Sequence, residues 1–140
     1  MDSLDTLLSQ EMQLLPAART AYRWSRTRLL NEIEQVMHTV AAWPGVVVHS
    51  NRDEVHFVAG ESIVGELRWD GRLDVVVPAE LRDRLLVEAM AASDPHPSRC
   101  DRVVWIVRTH DDVQRAIWLL RLAYVRSGEV RQTQTALNDC

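Results

Sequence analysis

The chain opens with apolar positions at helical spacing. Leu4, Leu7, Leu8, Leu14 and Leu15 fall on one face of residues 3–15, and Ser3 is placed to cap the first turn. Pro16 interrupts that run. Residues 17–42 repeat the helical period, with Tyr22, Leu29, Ile33, Val36 and Val40 in one stripe, and Pro44-Gly45 stops it. The period then falls to two. Val46-Val47-Val48 is a short apolar run, and residues 54–59 alternate, with Val55, Phe57 and Ala59 on one side and His56 and Val58 on the other. Residues 62–69 and 72–77 read as two further strands joined by Asp70-Gly71, a two-residue hairpin signal. Pro78 suits the first position of a helix over 79–92, with Leu81, Leu85 and Ala89 in one stripe. A polar, proline-rich loop over 93–98 leads to a fifth strand at 102–108. Thr109 and Asp112 have capping-box spacing for a last helix, which Gly128 is placed to stop after Ser127.

This order predicts an α+β two-layer domain: an antiparallel meander of about five strands covered by helices, with an N-terminal helical extension. The expected division is an extension over 1–44, a core over 45–127 and a polar tail over 128–140.

The last helix carries more apolar surface than one contact requires. At about 100° per residue, Val113, Ala116, Ile117, Leu120, Ala123 and Tyr124 form a wide stripe for the sheet. Trp118, Leu122 and Val125 form a second stripe on the other side. A second apolar face on a surface helix calls for a cover. The leucines Leu4, Leu7 and Leu8, from the same chain or another copy, are the natural one.

Composition narrows the function classes. The 140 residues carry 16 basic and 20 acidic side chains, a net charge of −4, which disfavours a general nucleic-acid coat. Every basic residue is Arg, so lysine-based Schiff-base and phosphate-loop chemistry is excluded. Two cysteines, Cys100 and Cys140, the lack of a basic leader and the lack of a long apolar run predict a cytoplasmic chain with reduced thiols and no membrane span. The main concentration of positive charge is Arg19, Arg23 and Arg26, at i, i+4 and i+7 on one helix face, interleaved with Tyr22 and Trp24. Such a stripe suits phosphate backbones or an acidic protein surface, and the acidic remainder favours the second.

Motifs for catalysis are sparse. The sequence has no Gly-x-Ser-x-Gly elbow, no phosphate loop and no dinucleotide-binding glycine pattern. Glu66, Asp70 and Asp74 surround one hairpin, and strand alternation sends Glu66 and Asp74 to the solvent face, away from Leu67 and Val75. His49 and His56 lie on adjacent strands. No pair of metal-ligand pairs exists; His96 and Cys100 are the nearest thing to a start, so no metal and no cofactor are expected. A pocket between sheet and closing helix, lined by Trp69, Trp105 and Tyr124, is the alternative place for a small ligand or a reaction.

From Glu66-Leu67-Arg68-Trp69-Asp70-Gly71, through the Asp74–Pro78 strand and Pro95-His96-Pro97, to Asp111-Asp112-Val113 and Ala116–Tyr124, the chain resembles the small bacterial luciferase-domain family. The resemblance covers about residues 45–126. It implies an α+β domain with no established activity, and no light emission. The family commonly carries a histidine just before the hairpin; this chain has Glu66-Leu67-Arg68-Trp69 there, so no chemistry of that histidine carries over. The sequence therefore reads as a non-catalytic binding and interaction module that self-associates, most simply as a dimer. A nucleic-acid-associated protein using Arg19, Arg23 and Arg26 is the second reading.

Overall fold

The computed structural model describes residues 16–94 and 101–130, with side chains described over 26–94 and 101–128. Helix α1 spans Pro16–Ala41, followed by strands β1 (Val46–Ser50), β2 (Glu54–Ala59), β3 (Ser62–Arg68) and β4 (Arg72–Val76). Helix α2 (Ala79–Val87), a two-residue strand β5 (Ala92–Ser93), β6 (Arg102–Ile106) and helix α3 (His110–Val130) complete the described chain. The leucine-patterned segment 3–15 and the pair His96 and Cys100 lie outside the described residues.

The class is α+β, built on a six-stranded antiparallel sheet in the order β1-β2-β3-β4-β6-β5. The meander holds for β1 to β4. The chain then leaves through α2 and β5 before β6 returns to pair with β4, so the predicted fifth strand sits inside the edge. Turn chemistry sets the hairpins. The Asn51 Oδ1 accepts from the Asp53 and Glu54 amides at 2.8 and 3.0 Å, closing β1 onto β2. The β3–β4 connection has three residues rather than two, Trp69-Asp70-Gly71. The Gly71 amide donates to Arg68 O at 3.0 Å, and Gly71 takes a φ of +98° that a side chain would resist.

One hydrophobic core joins the helices to one sheet face. Val55, Phe57, Leu67, Leu73, Val75 and Val103 from the strands meet Ile33, Val36 and Val40 of α1 and Val113, Ala116, Leu120 and Ala123 of α3. Leu85 of α2 joins the same cluster. In β3 an extra residue breaks the register between Phe57 and Val58, and both Val64 and Gly65 are buried. Gly65 lets α3 approach: a Cβ there would stand 2.6 Å from Leu120 Cδ2 and 3.0 Å from Asp74 O.

Helices α1 and α3 lie side by side and run the same way. His110 at the start of α3 reaches Glu32 (Nδ1 to Oε2 3.7 Å), while Tyr124 near its end donates to Pro44 O at 2.6 Å. The α3 start follows the capping-box expectation. The Asp112 carboxylate accepts from the Arg108 and Thr109 amides at 2.9 Å, and Thr109 Oγ1 accepts from the Asp112 amide at 3.3 Å.

Three expectations need correction. Helix α2 ends at Val87 rather than 92: the amides of Ala89 and Met90 turn back onto Leu86 O and Leu85 O, and Ala89 takes a φ of +55°. Gly128 does not stop α3, which continues to Val130. Leu119, left out of the predicted sheet-facing stripe, is fully buried, whereas Ile117 and Tyr124 are only partly so.

Candidate functional site

The outer side of α3 and the sheet face away from the helices both carry side chains beyond those the core consumes. The outer side of α3 presents Trp118 and Val125, 40% and 52% exposed, with Leu122 half-buried between them. Trp118 is positioned rather than loose. The Arg115 guanidinium carbon lies 5.3 Å from the Trp118 ring centre and 5.7 Å from that of Trp105, so one cation bridges two indoles. A second such group sits at the other end of the helix. Arg121 lies 5.0 Å from the Trp43 ring and 5.1 Å from the Tyr124 ring, whose centroids are 5.3 Å apart.

The three aromatics proposed for one pocket are spent separately. Trp69 Nε1 donates to Asn51 O at 3.0 Å, Trp105 Nε1 to Asp112 O at 3.1 Å and Tyr124 OH to Pro44 O at 2.6 Å. Trp105 is anchored at the start of α3 and Tyr124 twelve residues later than Asp112, roughly 18 Å along the axis. Each polar tip ties two elements together through a backbone carbonyl. Of the basic face, Arg26 is exposed on α1; the side chains of Arg19 and Arg23 lie outside the described ones.

The other sheet face is built from charge. Strand pairing aligns His49, His56, Glu66, Asp74 and Val104 in one row across β1, β2, β3, β4 and β6. His49 and His56 do stand opposite each other, as adjacent strands allow. His56 Nε2 lies 2.9 Å from Glu54 Oε1, and its Nδ1 lies 3.9 Å from Glu66 Oε1. Glu66 also faces Arg102, Oε2 to Nη1 3.4 Å. Asp74 is held in two places by Arg72, at 3.3 and 3.2 Å, and Arg72 reaches Asp94 at 3.4 Å. The hydrogen bond to Asp74, with the nearby carboxylates, raises the Arg72 pKa against the opposing effect of burial.

Glu66 was expected on a solvent face together with Asp74. Both do point away from Leu67 and Val75, but Asp74 is only 5% exposed, because Arg72 folds over it. The alternation signal located the face; it carried no information about a long side chain lying across a short one. The row can hold and share charge. None of its side chains is a hydroxyl or thiol nucleophile, and no group of three or more His, Cys, Asp or Glu among the described residues is arranged to hold a metal ion.

Comparison with protein-family models, with curated proteins and with solved structures finds no match to this chain. No helix among the described residues is long and apolar enough to cross a membrane.

Proposed function

We propose that this chain is a non-catalytic binding module that self-associates, acting in the cytoplasm. The observation that carries the reading is Trp118: an indole held by Arg115, 40% exposed, on a helix whose opposite side is already committed to the core. Tryptophan and arginine are both enriched at the energetic centre of protein contacts. Val125 extends the apolar strip. The α+β sheet with a closing helix is compatible with the luciferase-domain resemblance, which brings no activity with it. Light scattering on the full chain tests the proposal. A dimer that weakens at least tenfold for Trp118→Ala with Leu7→Glu and Leu8→Glu, with unchanged circular dichroism, supports it. A monomer at about 100 μM removes it.

A second reading, a small-ligand site on the charged sheet face, is favoured by one observation. Arg102 Nη1 is buried, 3.4 Å from Glu66 Oε2 and without a hydrogen bond, a donor that a ligand acceptor taking the place of Glu66 would satisfy. Saturable NMR shifts at Arg102 with a small carboxylate or phosphate probe, lost in Arg102→Met, would promote this reading.

A further inference from the structure

We infer that two copies of this chain join edge to edge through β1, making one continuous antiparallel sheet, with the flank of α1 beside β1 packing on its symmetry mate. This rests on the self-association reading and names a surface for it.

The two edges of the sheet differ. The β5 edge is only two residues long, the short form that resists further pairing. The β1 edge has five residues, Val46-Val47-Val48-His49-Ser50, and β2 is its one strand partner among the described residues. It contains no proline, arginine or bulge that would blunt it. Three consecutive β-branched residues give it high strand preference. Val47 is 53% exposed and continues across the sheet into Val58 and the exposed Ile63.

The helix above this edge offers a matching surface. Leu30, Glu34, Met37, His38 and Ala41 recur at i, i+4, i+7, i+8 and i+11, one stripe of α1. Leu30 is 40% exposed, and Glu34, Met37, His38 and Ala41 line with Val48 an open cleft of about 290 Å³. The occupant is a second copy because the stripe is self-complementary. A two-fold axis at β1 sets the two α1 helices antiparallel, which reverses the order of Glu34 and His38 and brings each carboxylate towards the imidazole of the other copy. In that register Leu30 of each copy comes opposite Ala41 and Ala42 of the other and Met37 lies beside the axis, every contact being made twice as an isologous interface requires. Antiparallel α1 helices also send the N-terminal half of each beyond the partner's Trp43 and Tyr124, the end of α3 where Val125 is exposed. One dimer thus joins the β1 edges and brings α1 of each copy towards the Val125 end of its partner's α3.

The test is the dimer dissociation constant of the full chain, by light scattering and native mass spectrometry. Val47, Glu34 and His38 are all exposed, so variants there leave the fold intact. Val47→Lys is expected to raise the constant at least tenfold. Glu34→Arg and His38→Glu are each expected to raise it three- to tenfold, and the double variant to return to within about threefold of the native value. Amide exchange adds a readout independent of mutation: β1 amides become slower as concentration carries the chain through dimerisation. A native-strength dimer in Val47→Lys and Glu34→Arg, with β1 exchange insensitive to concentration, overturns the inference; if that dimer still falls apart with Trp118→Ala, self-association through α3 stands. A native chain that stays monomeric overturns both.

Discussion

The two faces of this sheet are made by the same strands and follow opposite rules. On the helix side, Phe57, Gly65, Val75 and Val103 stand next to one another across four strands, and α3 packs on the row at Gly65 through Leu120. One residue further along each pairing, His56, Glu66, Asp74 and Val104 form the neighbouring row on the other side. The first row is held by shape: a large ring, a missing side chain and two branched aliphatics fill one space. The second is held by charge matching, with Arg72 and Arg102 between the carboxylates. A row held by shape tolerates almost no change of volume. A row held by charge tolerates exchange as long as each group keeps a partner.

The largest test of that contrast is Phe57→Ala. Phe57 is fully buried at the centre of the helix-side row, and truncation is expected to cost about 3–5 kcal/mol in urea or guanidinium unfolding. The opposite error, added volume, is tested one strand over. Gly65→Ala puts a methyl group 2.6 Å from Leu120 Cδ2 and 3.0 Å from a backbone carbonyl, with an expected loss of about 1–3 kcal/mol. If Gly65→Ala proves neutral, α3 can lift from the sheet and the helix side is less tightly specified than its packing indicates.

What could be read from the sequence divides along the same line. Val55, Phe57 and Ala59 alternate with His56 and Val58, and that period of two fixes the strand and its faces. The capping box of Thr109 and Asp112 fixes the start of α3. The end of α2 carries no such mark, because an alanine, Ala89, occupies the left-handed position where glycine is the usual signal. Strand β5 has two residues, too few for any periodicity. The charged row was half legible. Alternation put Glu66 and Asp74 on one face, and Arg72 stands two residues from Asp74 on the same strand, but Arg102, the partner of Glu66, comes from β6, whose place beside β4 depends on the path through α2. Trp69, Trp105 and Tyr124 looked like one pocket because all are large and near the last helix. Their hydrogen-bond partners, Asn51, Asp112 and Pro44, are long-range or backbone groups that no local pattern announces.

A smaller effect is expected from Asp74→Asn. The change keeps the shape of the side chain and removes the charge that Arg72 meets with two hydrogen bonds. Asp94 also faces Arg72 and retains part of the attraction. The expected loss is about 1–2 kcal/mol at neutral pH, below the value for a charged hydrogen bond removed outright. High salt should change it little, because Asp74 is buried.

The smallest effect separates a charged row of independent pairs from one that acts as a unit. Glu66 stands directly across from Asp74 on the neighbouring strand, and like charges in that position repel. Its attraction to Arg102 acts at 3.4 Å, and Arg102 Nη1 makes no hydrogen bond. Its contact with His56 Nδ1 is longer still, 3.9 Å. Neutralising Glu66 therefore removes one loose attraction, to Arg102, and one repulsion, from Asp74. Glu66→Gln is expected to change unfolding stability by less than about 0.5 kcal/mol, the scale of a single cross-strand pair. Combined with Asp74→Asn, independent pairs give losses that add to within about 0.5 kcal/mol. A double variant whose loss departs further from that sum would show that Arg72 and Arg102 redistribute between the carboxylates, and that the charged face, like the packed one, tolerates only concerted change.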